Sequence, residues 1–235
     1  MRGIVFVTGT DTDAGKTFVS CSLLRALRQR GVRVAARKPV ESGCARAGGQ
    51  SDGETDAETA DELIPSDAIA LRAAAGGDEP LDSIISLRLE EALAPGVAAE
   101  RAGVSLDVEA CVEECRRRAA EVDLLLVEGA GGLLVPLAGE VDCAEFARRL
   151  GASLLVVVGV KLGGINHALL TLEAARRRGL PIEGMILTHP SRDTDTAKKT
   201  FRETLARLDE TPILAEIPFA DSHEAGAEIL ARSLA

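Results

Sequence analysis

Apolar residues fall into two textures along the chain: short unbroken runs, and longer stretches in which they recur every three or four positions. Ile4 to Val7, Leu124 to Val127 and Leu154 to Val158 are runs of the first kind, and Val32 to Ala36, Ile182 to Leu187 and Ile213 to Ile217 are nearly so, interrupted by Arg33, by Glu183-Gly184 and by Glu216. Unbroken rather than alternating apolarity predicts strands covered on both faces. After Thr17, Val19, Leu23, Leu24 and Leu27 share one helical face, with Arg25, Arg28 and Arg30 off it. Further helices are predicted at about 66–76, 106–121, 142–150, 165–178, 195–208 and 222–234. Arg28-Gln-Arg-Gly31, Arg148-Arg-Leu-Gly151 and Arg176-Arg-Arg-Gly179 each put cations in a last helical turn and glycine just beyond it, a stop with a dipole reason. A strand candidate follows each of them. This rhythm predicts an α/β fold, a doubly wound, mostly parallel sheet of about six to seven strands flanked by helices. One domain over residues 1–235 is expected, without internal repeats.

Two stretches fall outside the rhythm. Cys44 to Glu62 is rich in Gly, Asp, Glu and Ala and almost devoid of apolar residues, so a mobile surface loop is expected at about 44–62, with a lid over bound ligand as the alternative. Gly76-Gly77 and Pro95-Gly96 read as turns that bound an insert of loop and short helix.

Composition narrows the function. A net charge of −10 leaves no basic face for nucleic acid. With aromatic residues at 2% and no Trp or Tyr, a base-stacking platform is excluded as well. The five cysteines, Cys21, Cys44, Cys111, Cys115 and Cys143, include no CxxC pair and are odd in number; core filling in a reducing cytoplasm fits them better than zinc or disulfides. No charged and apolar leader precedes the first strand, and no apolar stretch nears the roughly 20 residues that span a bilayer, so a cytoplasmic protein without membrane attachment is expected.

The candidate chemistry gathers around residues 8–17, Thr-Gly-Thr-Asp-Thr-Asp-Ala-Gly-Lys-Thr. Strand, glycine turn and helix in that order direct backbone N–H groups and a helix N-terminus at one point, which suits a polyphosphate. Lys16 would neutralise the outer phosphates and the Thr17 hydroxyl would ligate Mg²⁺. Five residues separate Gly9 from Gly15, where the general pattern has four. Lys38 reads as the end of the second strand, beside that turn at the carboxyl edge of the sheet. Glu128 reads as the end of the strand from Asp123 and runs into Gly129-Ala130-Gly131-Gly132, where a nucleotide-bound Mg²⁺ finds a ligand or water anchor. Lys161-Leu-Gly163-Gly164-Ile-Asn166-His167 opens a helix, with small residues that suit an anion and with Asn166 as its expected cap. His167 reads as structural, and His189 and His223 show no pattern for a metal or a catalytic triad.

Together VTGTDTDAGKT, RKPVESG, SDAIALRAAAG, ALAPGVAAE, VEGAGGLLVP, VVVGVKLGGINHALLT and AEIPF, in this order from Phe6 to Phe219, resemble the dethiobiotin synthetase family. The five-residue spacing is that wider group's variant of the phosphate turn. The resemblance implies an ATP-dependent ligase of biotin biosynthesis, with a phosphate-loop NTPase-like fold and a homodimeric assembly. It closes a ring from 7,8-diaminononanoate and CO₂ through a carbamate and a carbamic–phosphoric anhydride, releasing ADP and phosphate. It implies Lys16 and Lys38 as charge-stabilising catalytic residues and Thr17, Asp67 and Glu128 as the Mg²⁺ set. Asp13, Ala14, Gly15, Lys16, Thr17, Phe18, Asp67, Glu128, Gly129, Ala130, Gly131, Thr188, Pro218 and Phe219 would line the ATP site. Thr12, Ser42, Lys161, Gly163, Gly164 and Asn166 would contact the substrate, the last turn from the neighbouring subunit. Asp52 and Asp56 compete with Asp67 for the metal side, but only Asp67 opens the helix the family has there. Thr188-His189 stands where the family often has Asn-Asp to read adenine, which predicts weaker base selectivity. Gly96 replaces the usual histidine. Partitioning and septum-positioning switch ATPases share the turn and are the alternative, but they usually carry a lysine where this chain has Asp11 and Asp13.

Overall fold

The computed structural model describes residues 1–47, 62–189, 196–219 and 222–233, with side chains described outside 196–199. Its elements run β1 (Gly3–Gly9), α1 (Lys16–Gln29), β2 (Val34–Ser42), β3 (Ala45–Arg46), β4 (Leu63–Ile64), α2 (Ser66–Ala75), α3 (Leu81–Ile84), β5 (Ile85–Leu89), α4 (Pro95–Ala102) and α5 (Val108–Ala119). They continue with β6 (Leu124–Gly132), β7 (Pro136–Ala138), β8 (Val141–Asp142), α6 (Cys143–Leu150), β9 (Ser153–Gly159), α7 (Gly164–Arg177), β10 (Ile182–Thr188), α8 (Thr196–Leu208), β11 (Ile213–Ile217) and α9 (His223–Ser233).

Seven strands form one sheet in the order β11-β10-β9-β1-β6-β2-β5, and every neighbouring pair is parallel. Side chains alternate across β1: Val5 and Val7 join Leu23, Leu24 and Leu71 on the side of α1 and α2, while Phe6 joins Phe146 and Leu172 on the side of α6 and α7. Two apolar layers therefore sandwich the sheet, as the unbroken runs predict. The three arginine-glycine stops hold, with Gly31, Gly151 and Gly179 at φ of 75°, 68° and 67°. After β1 the chain turns outward through β2 to β5, and after β6 it crosses β1 to β9; the direction of winding reverses beside β1, where doubly wound sheets bind ligands.

Several expectations need correction. Lys38 lies in mid-strand, because β2 pairs with β6 through Val34 to Arg37 and then continues beside β5 from Lys38 to Ser42. Glu128 does not end its strand either, since β6 runs on to Gly132, re-pairing with Gly9 after an irregularity. The insert between Gly77 and Pro95 holds edge strand β5. Pro95-Gly96 is the first turn of α4, where proline's missing N–H is harmless. Of the predicted loop at 44–62, Ala45–Arg46 pairs with Leu63–Ile64 as a short antiparallel ladder; residues 48–61, Asp52 and Asp56 among them, lie outside the described residues. All five cysteines are buried thiols, and burial pushes Cys143 up to about 11 and Cys21 and Cys115 up to about 12. Among the described residues no helix is long and apolar enough to cross a membrane.

Candidate active site

The turn between β1 and α1 is shaped by what its backbone permits. Asp13 has φ of 60° and Gly15 φ of 85°, a left-handed geometry costly to any residue with a side chain and free to glycine. A Cβ at Gly9 would stand 2.7 Å from the Asp11 carbonyl oxygen, so the loop closes only over glycine there. Helix α1 starts at Lys16 with no side-chain cap and no acid in its first turn, which leaves its first N–H groups open to an anion.

Neighbouring strands aim charges at this turn. Lys38 Nζ, on β2, donates to Asp67 Oδ2 at 2.8 Å and to Glu128 Oε1 at 2.7 Å. Thr17 Oγ1 donates to the same Glu128 oxygen at 2.8 Å, and Ser20 Oγ donates to Oε2 at 2.6 Å. Lys16, Lys38 and Glu128 are only 8%, 3% and 0% exposed. Burial would lower the Lys38 ammonium, but Glu128 and Asp67 outweigh it and hold it above its ordinary value. Lys16 goes the other way, depressed first by burial and then by the charge of Lys38. Asp67 is pushed up by burial and more strongly down by Lys38, and ends below the usual carboxylate range. The two lysines are thus in opposite states of satisfaction: Lys38 has its counter-charges within the protein, and Lys16 lacks enough of them.

Lys16, Thr17, Lys38 and Asp67 line a cavity of about 670 Å³ that also reaches Thr12, Asp13, Gly15, Phe18, Ser42, Ala130 and Gly131; Glu128 and Ser20 are fully buried behind its wall. Glu41, Ala92, Leu93, Ala94, Pro95 and Val135 line it too; they lie in the segments that carry the resemblance, but none of them is assigned a site role from the sequence. An acid three residues beyond a candidate lysine on one strand was the available signal for Glu41. Its carboxylate is 5% exposed and raised by burial despite accepting the Asp67 and Ala68 N–H groups.

A second cavity, of about 160 Å³, opens on the other side of the turn and is walled by Asp13, Ala14, Gly15, Phe18, Thr188, His189, Ile217, Pro218 and Phe219. Thr188 Oγ1 donates to the Ala14 carbonyl at 2.7 Å and lies 3.3 Å from that of Val158. His189 Nε2 sits 2.8 Å from Glu216 Oε1. Gly129 lies within Lys38's reach through its carbonyl, 3.5 Å from Nζ. Lys161, Gly163, Gly164 and Asn166 line neither cavity. Lys161 Nζ instead donates to Asp11 Oδ2 at 2.6 Å, steadying the phosphate turn from the end of β9 and holding Asp11 below the carboxylate range. Gly163, at φ of 84°, caps α7, so Asn166 sits inside the first turn and is not the cap the sequence suggested.

Among the described residues no three His, Cys, Asp or Glu side chains gather that could hold a metal by themselves. Thr17, Asp67 and Glu128 offer only oxygen, from one hydroxyl and two carboxylates. That set fits Mg²⁺, which takes one or two carboxylates and completes its shell with water and substrate phosphates.

The chain matches the family model described as AAA domain over residues 4–226. It is 42% identical over 219 residues to the ATP-dependent dethiobiotin synthetase BioD of Anaeromyxobacter dehalogenans (strain 2CP-C), covering 93% of this chain and 91% of that protein. It is 40% identical over 225 residues to the protein of the same name from Anaeromyxobacter sp. (strain Fw109-5), covering 92% and 93%. In fold it is similar to a ParA family ATPase from Chlorobium tepidum TLS, with a TM-score of 0.58, 14% identity and coverage of 100% and 99%. The septum site-determining protein MinD of Pyrococcus horikoshii OT3, complexed with Mg-ADP, gives 0.56, 18%, and 99% and 94%. The phosphate-loop NTPase fold is shared with the two solved structures, but sequence likeness of about 40% across nearly the whole length singles out one group, and the chain belongs to the ATP-dependent dethiobiotin synthetase family, ligases that close a ring by forming C–N bonds.

Proposed function

We propose that the chain converts 7,8-diaminononanoate and CO₂ to dethiobiotin with ATP, in three steps. One amine attacks CO₂ and loses a proton, giving a carbamate. A carbamate oxygen attacks the γ-phosphorus of ATP and ADP leaves, giving the carbamic–phosphoric anhydride. The second amine then attacks the carbonyl carbon, and phosphate departs as the ring closes. No protein nucleophile is required, so the residues bind, orient and neutralise.

Lys16 and Lys38 are the catalytic charges, acting on the transferring phosphoryl group and the carbamate. Thr17, Asp67 and Glu128 hold Mg²⁺, which when bound draws negative charge from the phosphate oxygens. Asp13, Ala14, Gly15, Phe18, Gly129, Ala130 and Gly131 receive the phosphates and ribose side of ATP, and Thr188, Pro218 and Phe219 receive its base. Thr12 and Ser42 face the reacting end of the diamine. Gly163, Gly164 and Asn166 take its carboxylate from a second copy of the chain, in a cytoplasmic homodimer of single-domain subunits, with Lys161 beside them at the substrate's edge while paired to Asp11. Leu162 and Leu170, 87% and 58% exposed beside that turn, leave the kind of apolar surface an interface covers.

The observation that carries this reading is Lys38 Nζ bonded to both Asp67 and Glu128 within the same cavity as Lys16 and Thr17. Phosphate release followed with and without the diamine and bicarbonate tests it. Release that needs both is expected. Release at the same rate without either would overturn the synthetase chemistry in favour of a nucleotide-switch ATPase.

A further inference from the structure

Asp67 is held from two directions by one strand. Lys38 on β2 binds its carboxylate, and three residues further along the same strand Glu41 binds its backbone. Glu41 Oε1 accepts from the Asp67 N–H at 3.0 Å and from the Ser66 hydroxyl at 3.2 Å, and Oε2 accepts from the Ala68 N–H at 3.0 Å. Helix α2 follows Pro65 and has no side-chain cap from its preceding residue. The first N–H groups of a helix have no partners within it, and a carboxylate at that end is favoured by the dipole. Glu41 meets both demands from outside the helix, buried in the wall of the larger cavity.

We propose that Glu41 is a positioning residue: it fixes the first turn of α2 so that the Asp67 carboxylate stays within hydrogen-bond reach of Lys38, and it acts on the reaction only through Asp67. This rests on the reading of Asp67 as a working member of the site. Without the Glu41 carboxylate two backbone donors lose their acceptor, the first turn of α2 frays, and Asp67 departs from Lys38 with its own chemistry unchanged.

A cycle of kcat/KM measurements on the wild type, Glu41→Ala, Asp67→Asn and the double variant tests the inference. Glu41→Ala is expected to lower kcat/KM about 10- to 100-fold, the usual cost of losing a partner that orients a working side chain. The double variant is expected to be no slower than Asp67→Asn alone, because placement of a carboxylate already removed has no further effect. Glu41→Gln keeps one acceptor oxygen and should recover part of the rate. Amide hydrogen exchange at Asp67 and Ala68 in the nucleotide-free chain should accelerate in Glu41→Ala and stay slow in Asp67→Asn. Additive losses in the cycle, or unchanged exchange, would overturn the inference and leave Asp67's role standing. Wild-type turnover in Asp67→Asn would remove Asp67 itself from the reaction, and the inference with it.

Discussion

The two cavities that meet at the turn between β1 and α1 are built on opposite plans. Around the larger one, Lys38, Asp67, Glu128, Thr17 and Ser20 hold one another through hydrogen bonds of 2.6 to 2.8 Å, each side chain fixed by at least one other. Around the smaller one, the polar side chains of Thr188 and His189 are turned to the protein's own Ala14 carbonyl and Glu216 carboxylate, and much of the remaining wall is apolar. The first arrangement is preorganised charge, whose value is greatest where charge develops in a transition state. The second accepts a flat apolar group by shape and offers few groups to read its edge. On the proposed function, the difference predicts strictness toward the phosphates and much less toward the identity of the base.

The largest effect expected is on stability at the charged end. Glu128→Ala leaves the Lys38 ammonium almost wholly buried with Asp67 as its remaining charged partner, and takes from the Ser20 hydroxyl the acceptor it bonds. Removing one member of a buried ion pair costs about 3 to 5 kcal/mol, and the lower figure is expected here because Asp67 persists. Urea unfolding of the nucleotide-free chain measures it. A loss below about 1 kcal/mol, the scale of an exposed pair, would mean the network is not the rigid unit described. Next comes turnover: Lys38→Gln should lower kcat by about 10²- to 10³-fold, the cost of one lost charge-stabilising contact. Its KM for ATP should change far less. A kcat within about threefold of wild type would take Lys38 out of that role.

How far each plan was legible in the sequence follows from how local it is. Gly-Lys-Thr after a buried strand, and the three arginine-glycine stops, are contiguous signals, and the elements they predict are all present. Lys38 and Glu128 were found as strand residues facing the crevice, although both strands run on past them, because a strand's end is set by its neighbour: β5 prolongs β2, and Gly9 prolongs β6. β5 itself was missed because Ile85-Ser-Leu-Arg-Leu alternates, the pattern of a strand with one face open, while the other strands of the sheet announce themselves by runs that are mostly apolar. Pro95 was read as a breaker although proline also begins helices. Glu41's contacts reach 25 to 27 residues along the chain, across a segment with no periodicity to measure by, and no local pattern could reveal them.

At the apolar cavity the expected effects are smaller. With ATP, CTP and GTP compared under saturating diamine and bicarbonate, kcat/KM values should fall within about tenfold of one another. Sites built to hydrogen-bond a group reject analogues that lack it by about 10⁴-fold or more, whereas apolar pockets discriminate only modestly. A preference for ATP above about 10³-fold would show that the base edge is read after all, and would dissolve the contrast between the cavities. Thr188→Val is smaller again. It keeps the shape and removes the hydroxyl that ties the Ala14 carbonyl to β10, so the loop should loosen by about 1 kcal/mol. That appears as a roughly fivefold rise in KM for every nucleotide alike; a change in the ratio between nucleotides would instead put the hydroxyl in contact with the base.

The smallest effect separates the two lysines of the charged end. Lys16 is depressed below its unfolded value of 10.5, so between its folded and unfolded values the unfolded chain holds more protons, and Lys16's contribution makes the fold more stable as pH rises through that window. Lys38 is raised; its contribution is complete below 10.5 and is lost only as pH climbs through its higher folded value. On the proposed function a triphosphate would bring Lys16 counter-charge and lift it back, so ATP binding at alkaline pH is expected to take up protons at Lys16, while Lys38, already paired within the protein, contributes none. Calorimetric titration of ATP in two buffers of different ionisation enthalpy reads this directly. Uptake of a fraction of one proton per ATP is expected from Lys16, on top of any linkage of the nucleotide itself, and Lys16→Arg should abolish that fraction because a guanidinium stays protonated throughout. Equal uptake in the wild type and Lys16→Arg would mean that Lys16 is as fully paired before the nucleotide arrives as Lys38 is, and that the charged cavity waits for phosphate with no cation left to satisfy.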